Sequence, residues 1–205
     1  MTAPAPAIRR DLLEVAALID PGARVLDVGC GDGALLDYLA RSKGVDARGL
    51  ELSHANVNLC AAKGLAVIQG DAEADLEDYA DAAFDYVVMS DTLQSTMDPR
   101  GVLSDLTRIG RKAIVAFANF GHWRMLTKRV LTGRSPRNAD YPEMWWETPV
   151  VRPFTVLDFR DLLAAMALRE ERAVAVDPGR GVRPMRSGPL ANLMTRRAIF
   201  VVSRD

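Results

Sequence analysis

Cysteine is scarce in this chain. Its 205 residues hold two, Cys30 and Cys60, which form no metal-ligand spacing and make a reducing cytoplasm the simplest setting. There is no apolar run of about 18 residues or more, so no membrane span is expected. Met1–Ala7 is rich in Ala and Pro and lacks the apolar core of a signal peptide, and it reads as a disordered start. An excess of charge is also missing: the formal net charge is −1, which argues against a general nucleic-acid binder. Lysine is reduced to Lys43, Lys63, Lys112 and Lys128, a skew toward arginine that genome composition explains as well as function does. No internal repeat is visible. What remains is ordinary for a globular protein, with 49% hydrophobic and 26% charged residues, and 8–205 reads as one domain large enough for a full core.

The chain is organised around Val25–Gly33, Val-Leu-Asp-Val-Gly-Cys-Gly-Asp-Gly. A short apolar run ends in Gly29, Gly31 and Gly33, and the residues from Ala34 favour a helix. This predicts a strand, a tight turn and a helix start. Glycine lets the backbone approach a ligand closely and take positive φ, and the first amides of the helix lack partners within it. Three acids fall into register with the turn. Asp27 lies inside the strand, Glu51 ends a second apolar run, Arg48–Leu52, and Asp71 follows a third, Leu65–Gln69, with Ala72 after it. All three would sit at or near the carboxyl ends of parallel strands, where open α/β sheets bind ligands.

Hydrophobic periodicity supplies the rest of the fold. A helix over 8–19 stops at Asp20-Pro21-Gly22 and would pack on the sheet or lid the ligand. Strands are expected at Arg24–Val28, Val45–Glu51, Leu65–Gln69, Phe84–Ser90 and Lys112–Phe117. They alternate with helices at Ala34–Lys43, Ala55–Ala62 and 99–109, with Gly44 a C-cap and Ser53 an N-cap. The rhythm breaks after Phe117. Residues 119–153 hold five of the thirteen aromatics, Phe120, Trp123, Tyr141, Trp145 and Trp146, with four prolines and a basic cluster, and they read as an insertion or lid containing a helix at Trp123–Leu131. Thr155 then caps a helix at Val156–Met166. Closing strands fall near Glu171–Val176 and Ala198–Val202, separated by a Gly/Pro/Arg loop at Asp177–Pro189. Alternation of this kind implies a parallel sheet with right-handed crossovers.

The run hydrophobic-Asp-hydrophobic-Gly-x-Gly-x-Gly resembles motif I of the class I methyltransferases over roughly the first half of the chain. The resemblance implies a Rossmann-like class I methyltransferase fold, a mostly parallel seven-stranded sheet with helices on both faces, and S-adenosylmethionine or S-adenosylhomocysteine as ligand. The glycine turn, with Cys30, would lie against the methionine part, Glu51 with Leu52 would meet the ribose, and Asp71 with Ala72 the adenine edge. Ser90, ending the fourth strand, joins the cofactor set. A dinucleotide is the weaker occupant, because the fingerprint G-x-G-x-x-G is not met.

A narrower resemblance comes from the middle of the chain. Ser90-Asp91-Thr92-Leu93-Gln94, Asn119-Phe120-Gly121-His122-Trp123, Tyr141-Pro142, Trp145-Trp146-Glu147-Thr148-Pro149 and Phe154-Thr155 together are similar to the MetW family of methionine biosynthesis, from Arg10 onward. The resemblance implies partnership with homoserine O-acetyltransferase, as a homodimer within a hetero-oligomer, more than a defined reaction. Asp91 departs from the family's usual Gln, Ala118 from its Pro, and Val150-Val151-Arg152 replaces a more polar Asn-Ile-His.

On the acceptor side only His122 and Asp91 offer themselves as catalytic groups. His122 is either a general base or a loop-fixing hydrogen-bonding group, and Asp91 either an acceptor-site residue or a cap. Cys30 reads as a small filler and His54 as solvated. Tyr141, Trp145 and Trp146, near arginines, fit an interface or a lid better than a core. The basic groups Arg124, Lys128, Arg129, Arg134 and Arg137, and Arg180, Arg183 and Arg186, fit a solvated face first and an acidic partner second. Two functions stay open: a partner and activator of the acetyltransferase that binds S-adenosylmethionine, and a working small-molecule methyltransferase.

Overall fold

The computed structural model describes residues 8–134, 147, 152–177 and 181–204. The expectations for Met1–Ala7, Arg137, Tyr141, Trp145, Trp146 and Arg180 therefore fall outside the described residues.

One sheet runs through the molecule. Its strands are β1 (Arg24–Val28), β2 (Asp46–Glu51), β3 (Ala66–Gln69), β4 (Phe84–Ser90), β5 (Gly110–Ala118), β6 (Arg169–Asp177), β7 (Gly181–Pro184) and β8 (Arg197–Ser203). They lie in the order β3-β2-β1-β4-β5-β8-β6-β7. The first five pair in parallel, and β8 enters antiparallel between β5 and β6. The helices are α1 (Arg10–Ala17), α2 (Ala34–Lys43), α3 (His54–Ala62), α4 (Pro99–Ile109), α5 (Trp123–Thr132), α6 (Val156–Ala165) and α7 (Pro189–Met194).

The sheet has eight strands, not the expected seven. The additional strand, β7, lies in the stretch that reads as a Gly/Pro/Arg loop. It is four residues long and pairs antiparallel with β6 alone. At that outer edge Pro184 is tolerated, because a missing N–H breaks no ladder. Short strands punctuated by Gly and Pro carry little periodicity, which is why the pattern hides it. The same loop gives way to α7, which starts on Pro189, a residue pre-set for the first helical turn.

Strand alternation decides the two cores. On β5, Ala113, Val115 and Phe117 face α4 and α6, where Val102, Leu106, Phe159 and Leu163 meet them. Ile114 and Ala116 face the other side, with Val15 and Ala16 of α1 and Leu35 and Leu39 of α2. Both faces of the central strands are covered, so β4 and β5 read as continuous apolar runs. α6 is started by a capping box: Asp158 N–H donates to Thr155 Oγ1 at 3.2 Å, and Thr155 N–H donates back to Asp158 Oδ2 at 2.9 Å.

The Asn-Phe-Gly-His-Trp block is largely architectural. Asn119 Nδ2 donates to the carbonyls of Asn192 and Thr195 at 2.6 and 2.7 Å. Its Oδ1 accepts from Gly121 N–H and Val156 N–H. One buried amide thus ties the end of β5 to α7 and to the start of α6. A Cβ on Gly121 would stand 2.4 Å from Asn192 Nδ2, so glycine is required there for close approach.

Candidate functional site

The carboxyl ends of β1, β2 and β4 meet around the glycine turn. Gly29 N–H donates to Leu50 O at 2.7 Å, fixing the turn to β2. Gly29 has φ +74, and a Cβ there would stand 2.2 Å from Thr92 Oγ1. The position therefore excludes side chains twice, by conformation and by space. Gly31 N–H donates to Glu51 Oε2 at 2.8 Å. Glu51 Oε1 accepts from Ser53 N–H at 2.9 Å and Asn56 Nδ2 at 3.3 Å. Ser53 does sit at the N-cap of α3, but its hydroxyl makes no capping bond; its amide goes to Glu51 instead.

Two hollows open on either side of Gly29, Ser90 and Asp91. The first, of about 370 Å³, is lined by Asp27, Gly29, Cys30, Gly31, Ser90 and Asp91, with Ile8, Arg9 and Leu12 from the start of α1. The second, of about 410 Å³, is lined by Gly29, Glu51, Leu52, Asp71, Ala72 and Ser90, among others. Nine of the ten residues assigned to cofactor binding thus line one hollow or both. Gly33 does not. It belongs to the turn, but its α-carbon faces α3, where a Cβ would stand 2.9 Å from Cys60 Sγ.

Electrostatics single out Asp27. It is 3% exposed, and no hydrogen bond from the described residues reaches its carboxylate. Burial pushes its pKa up to about 7, and the charge of Glu51 adds to the rise. Ser90 Oγ is likewise buried with no hydrogen-bond partner among the described residues. An acid held near neutrality, an unsatisfied hydroxyl and a bare glycine backbone line a hollow that suits a cationic amino-acid tail. Burial also raises the Cys30 thiol, which fits a filler rather than a nucleophile. Asp71, which lines the second hollow, accepts from Glu73 N–H at 2.9 Å through Oδ1.

The two catalytic candidates are placed differently. Asp91 lines both hollows, but its carboxylate is ion-paired to Arg9 Nη2 at 2.7 Å and to Arg197 Nη2. Both oxygens are engaged by arginines within the chain. His122 lines neither hollow. It is the N-cap of α5, and its Nδ1 accepts from Arg124 N–H at 3.4 Å, in keeping with the loop-fixing alternative. Arg152, standing where the family's usual His is absent, donates to the carbonyls of Thr96 and Met97 and so braces the far wall of the second hollow. Arg9 and Arg197 were not legible as site residues. Arg197 is 106 positions from Asp91, and no local pattern links them.

The fold and the glycine turn define a class I methyltransferase-like protein. A SAM-dependent methyltransferase of Thermotoga maritima superposes with a TM-score of 0.69 at 19% identity, covering 95% of this chain and 87% of that one. A TehB-like SAM-dependent methyltransferase of Corynebacterium glutamicum gives 0.63 at 19%, covering 98% and 90%. Residues 9–202 match the family described as methionine biosynthesis protein MetW, and the chain belongs to that family. It is 34% identical over 178 residues to the bifunctional methionine biosynthesis protein MetXA/MetW of Rhodopirellula baltica, spanning 82% of this chain and 29% of that protein. A ubiquinone biosynthesis O-methyltransferase of Hahella chejuensis is 31% identical over 109 residues, 51% of this chain and 45% of that one. The chain therefore spans less than half the length of these relatives. Among the described residues, no helix is long and apolar enough to cross a membrane.

Proposed function

We propose that this chain binds S-adenosylmethionine or S-adenosylhomocysteine across the two hollows and acts in the cytoplasm as partner and activator of homoserine O-acetyltransferase. The paired hollows around Gly29 carry the ligand half of the reading. The methionine tail would enter beside Asp27 and Ser90, and the ribose hydroxyls would meet Glu51. The partner half is supported by the family membership and by the MetXA/MetW relative, in which two methionine-biosynthesis functions share one polypeptide. Because Asp91 is ion-paired and His122 caps a helix, a sensing role suits the site better than methyl transfer. The end product of the pathway would report methionine status through its differential affinity for the free and partnered states.

The test is calorimetric titration of the chain with each ligand, alongside the rate of purified homoserine O-acetyltransferase with and without the chain. The expected result is saturable binding and a rate that rises with the chain and shifts with S-adenosylmethionine. If ligand leaves both partner affinity and rate unchanged, sensing is wrong. Turnover to S-adenosylhomocysteine with a metabolite extract, without the acetyltransferase, would restore the methyltransferase reading.

Asp27 gives this reading a pH signature. Its folded pKa of about 7 lies above the ordinary value of 3.8. Between those values the folded chain holds a proton that the unfolded chain has lost. Stability of the ligand-free protein should thus fall as pH rises from about 4 through 7 and then level off, by up to a few kcal/mol. The ammonium of S-adenosylmethionine favours ionised Asp27, so binding should release a proton below pH 7 and tighten as pH rises. Titrations in buffers of different ionisation enthalpy measure that proton. Asp27→Asn should abolish that proton release and remove the fall in stability that Asp27 contributes between about pH 4 and 7.

A further inference from the structure

Helix α5 buries Met125 and leaves its opposite face open. Trp123, Leu126 and Val130 recur at i, i+3 and i+7, so they share that face. They are 43%, 41% and 82% exposed, and Leu131 on the flank is 83% exposed. The guanidinium of Arg124 lies over the Trp123 ring, 5.3 Å from its centroid. The stripe lies in a basic stretch of sequence: from Asn119 to Asn138 the chain holds Arg124, Lys128, Arg129, Arg134 and Arg137 and no acidic residue, against a net charge of −1 for the whole.

We infer that this face of α5 is the docking surface for homoserine O-acetyltransferase, through an apolar groove rimmed by acidic side chains on that enzyme. The inference rests on the partnership proposed above. Two observations choose the occupant. A second copy of this chain, pairing by a two-fold axis, would set the same patch against itself and bring the cationic rims of Arg124 and Arg129 together with no carboxylate of α5 to offset them. Like charges juxtaposed at an interface are costly. In the MetXA/MetW relative, moreover, the matched region is 29% of the protein, so a neighbour tethered in the same polypeptide is at high effective concentration. A Trp with a stacked Arg is the composition of an interface anchor, and the rim charges set orientation and on-rate. The surface is separate from the ligand hollows, since none of these residues lines them.

The experiment measures affinity of the full chain for purified homoserine O-acetyltransferase from the same host. The variants are V130D/L131D, R124E/R129E and the charge-retaining R124K/R129K. Because Val130, Leu131 and Arg129 are surface residues, melting temperature and S-adenosylmethionine affinity should stay unchanged. Partner affinity should fall tenfold or more in the first two, hold within a few-fold in the third, and weaken with salt in the wild type. If wild type binds and all variants bind equally, this surface is wrong while the partnership stands. If wild type does not bind, both fall. If V130D/L131D instead turns a self-associated form of the isolated chain into monomer without changing partner affinity, the occupant is a second copy and the inference is overturned.

Discussion

Glu51→Ala should weaken binding of S-adenosylmethionine about a hundredfold. Two ribose hydroxyls donating to a carboxylate are worth on the order of 3 kcal/mol together, since hydrogen bonds to charged groups run about 1.5–3 kcal/mol each. The side chain has a second job in the ligand-free chain. It is 8% exposed and accepts from Gly31 N–H, Ser53 N–H and Asn56 Nδ2. Truncation would remove one of the ties between the glycine turn and β2 and leave the Gly31 amide unpaired, so the chain should also melt lower. Glu51→Gln separates the two effects. It keeps the volume and one acceptor, so stability should fall less than in Glu51→Ala while affinity still drops by an order of magnitude or more. It also removes the negative charge that helps raise Asp27. The Asp27 carboxyl should then titrate below about 7, which side-chain NMR resolves. Unchanged ligand affinity in both variants would remove Glu51 from the ribose site.

The candidate site was legible because its information is local. A glycine turn needs glycines in one short run, and the acids around it end successive parallel strands. Asp27, Glu51 and Asp71 could therefore be placed by spacing alone, and the structure brings them to the two hollows. Gly33 shows the limit of that logic. The motif spacing recruits it, but the space it yields is filled by Leu65 and Cys60. The same distinction separates β4, an apolar run that could only be central, from β7, whose four residues pair only at an edge. His122 and Asp91 stand out for chemistry their residue types allow. The setting of Asp91 depends on two arginines from distant segments, while His122 caps the helix that follows it. The Asn119 bracket is a further case: the two carbonyls it donates to lie more than 70 positions away, so nothing local in the block that carries the family resemblance shows that it is mostly a joint.

Those two arginines set the largest expected loss of stability. Arg197 is 7% exposed, and its Nη2 reaches Asp91 as well as Asp11 Oδ2, at 3.1 Å. Arg9 closes the ring from outside, at 2.7 Å from each acid. Asp91 itself is held at φ +63, a left-handed conformation that costs a non-glycine residue roughly 1–2 kcal/mol. Its N–H donates to Ala116 O at 2.8 Å. Arg197→Ala would leave two largely buried carboxylates facing one another with only Arg9, whose side chain is 55% exposed, to offset them. Breaking a buried charge cluster this way costs about 3–5 kcal/mol, or a fall in Tm of about 10 °C for a chain of this size. Arg9→Ala, at the exposed corner, should cost about 1 kcal/mol or less. The cluster ties α1 to the loop after β4, so Arg197→Ala should also loosen the first hollow and weaken S-adenosylmethionine binding. The charge-free triple variant Arg197→Met with Asp11→Asn and Asp91→Asn distinguishes electrostatics from packing. It should recover most of the lost Tm, because no unpaired carboxylate is left. If it melts as low as Arg197→Ala, the arginine works through its packing rather than by neutralising the two acids.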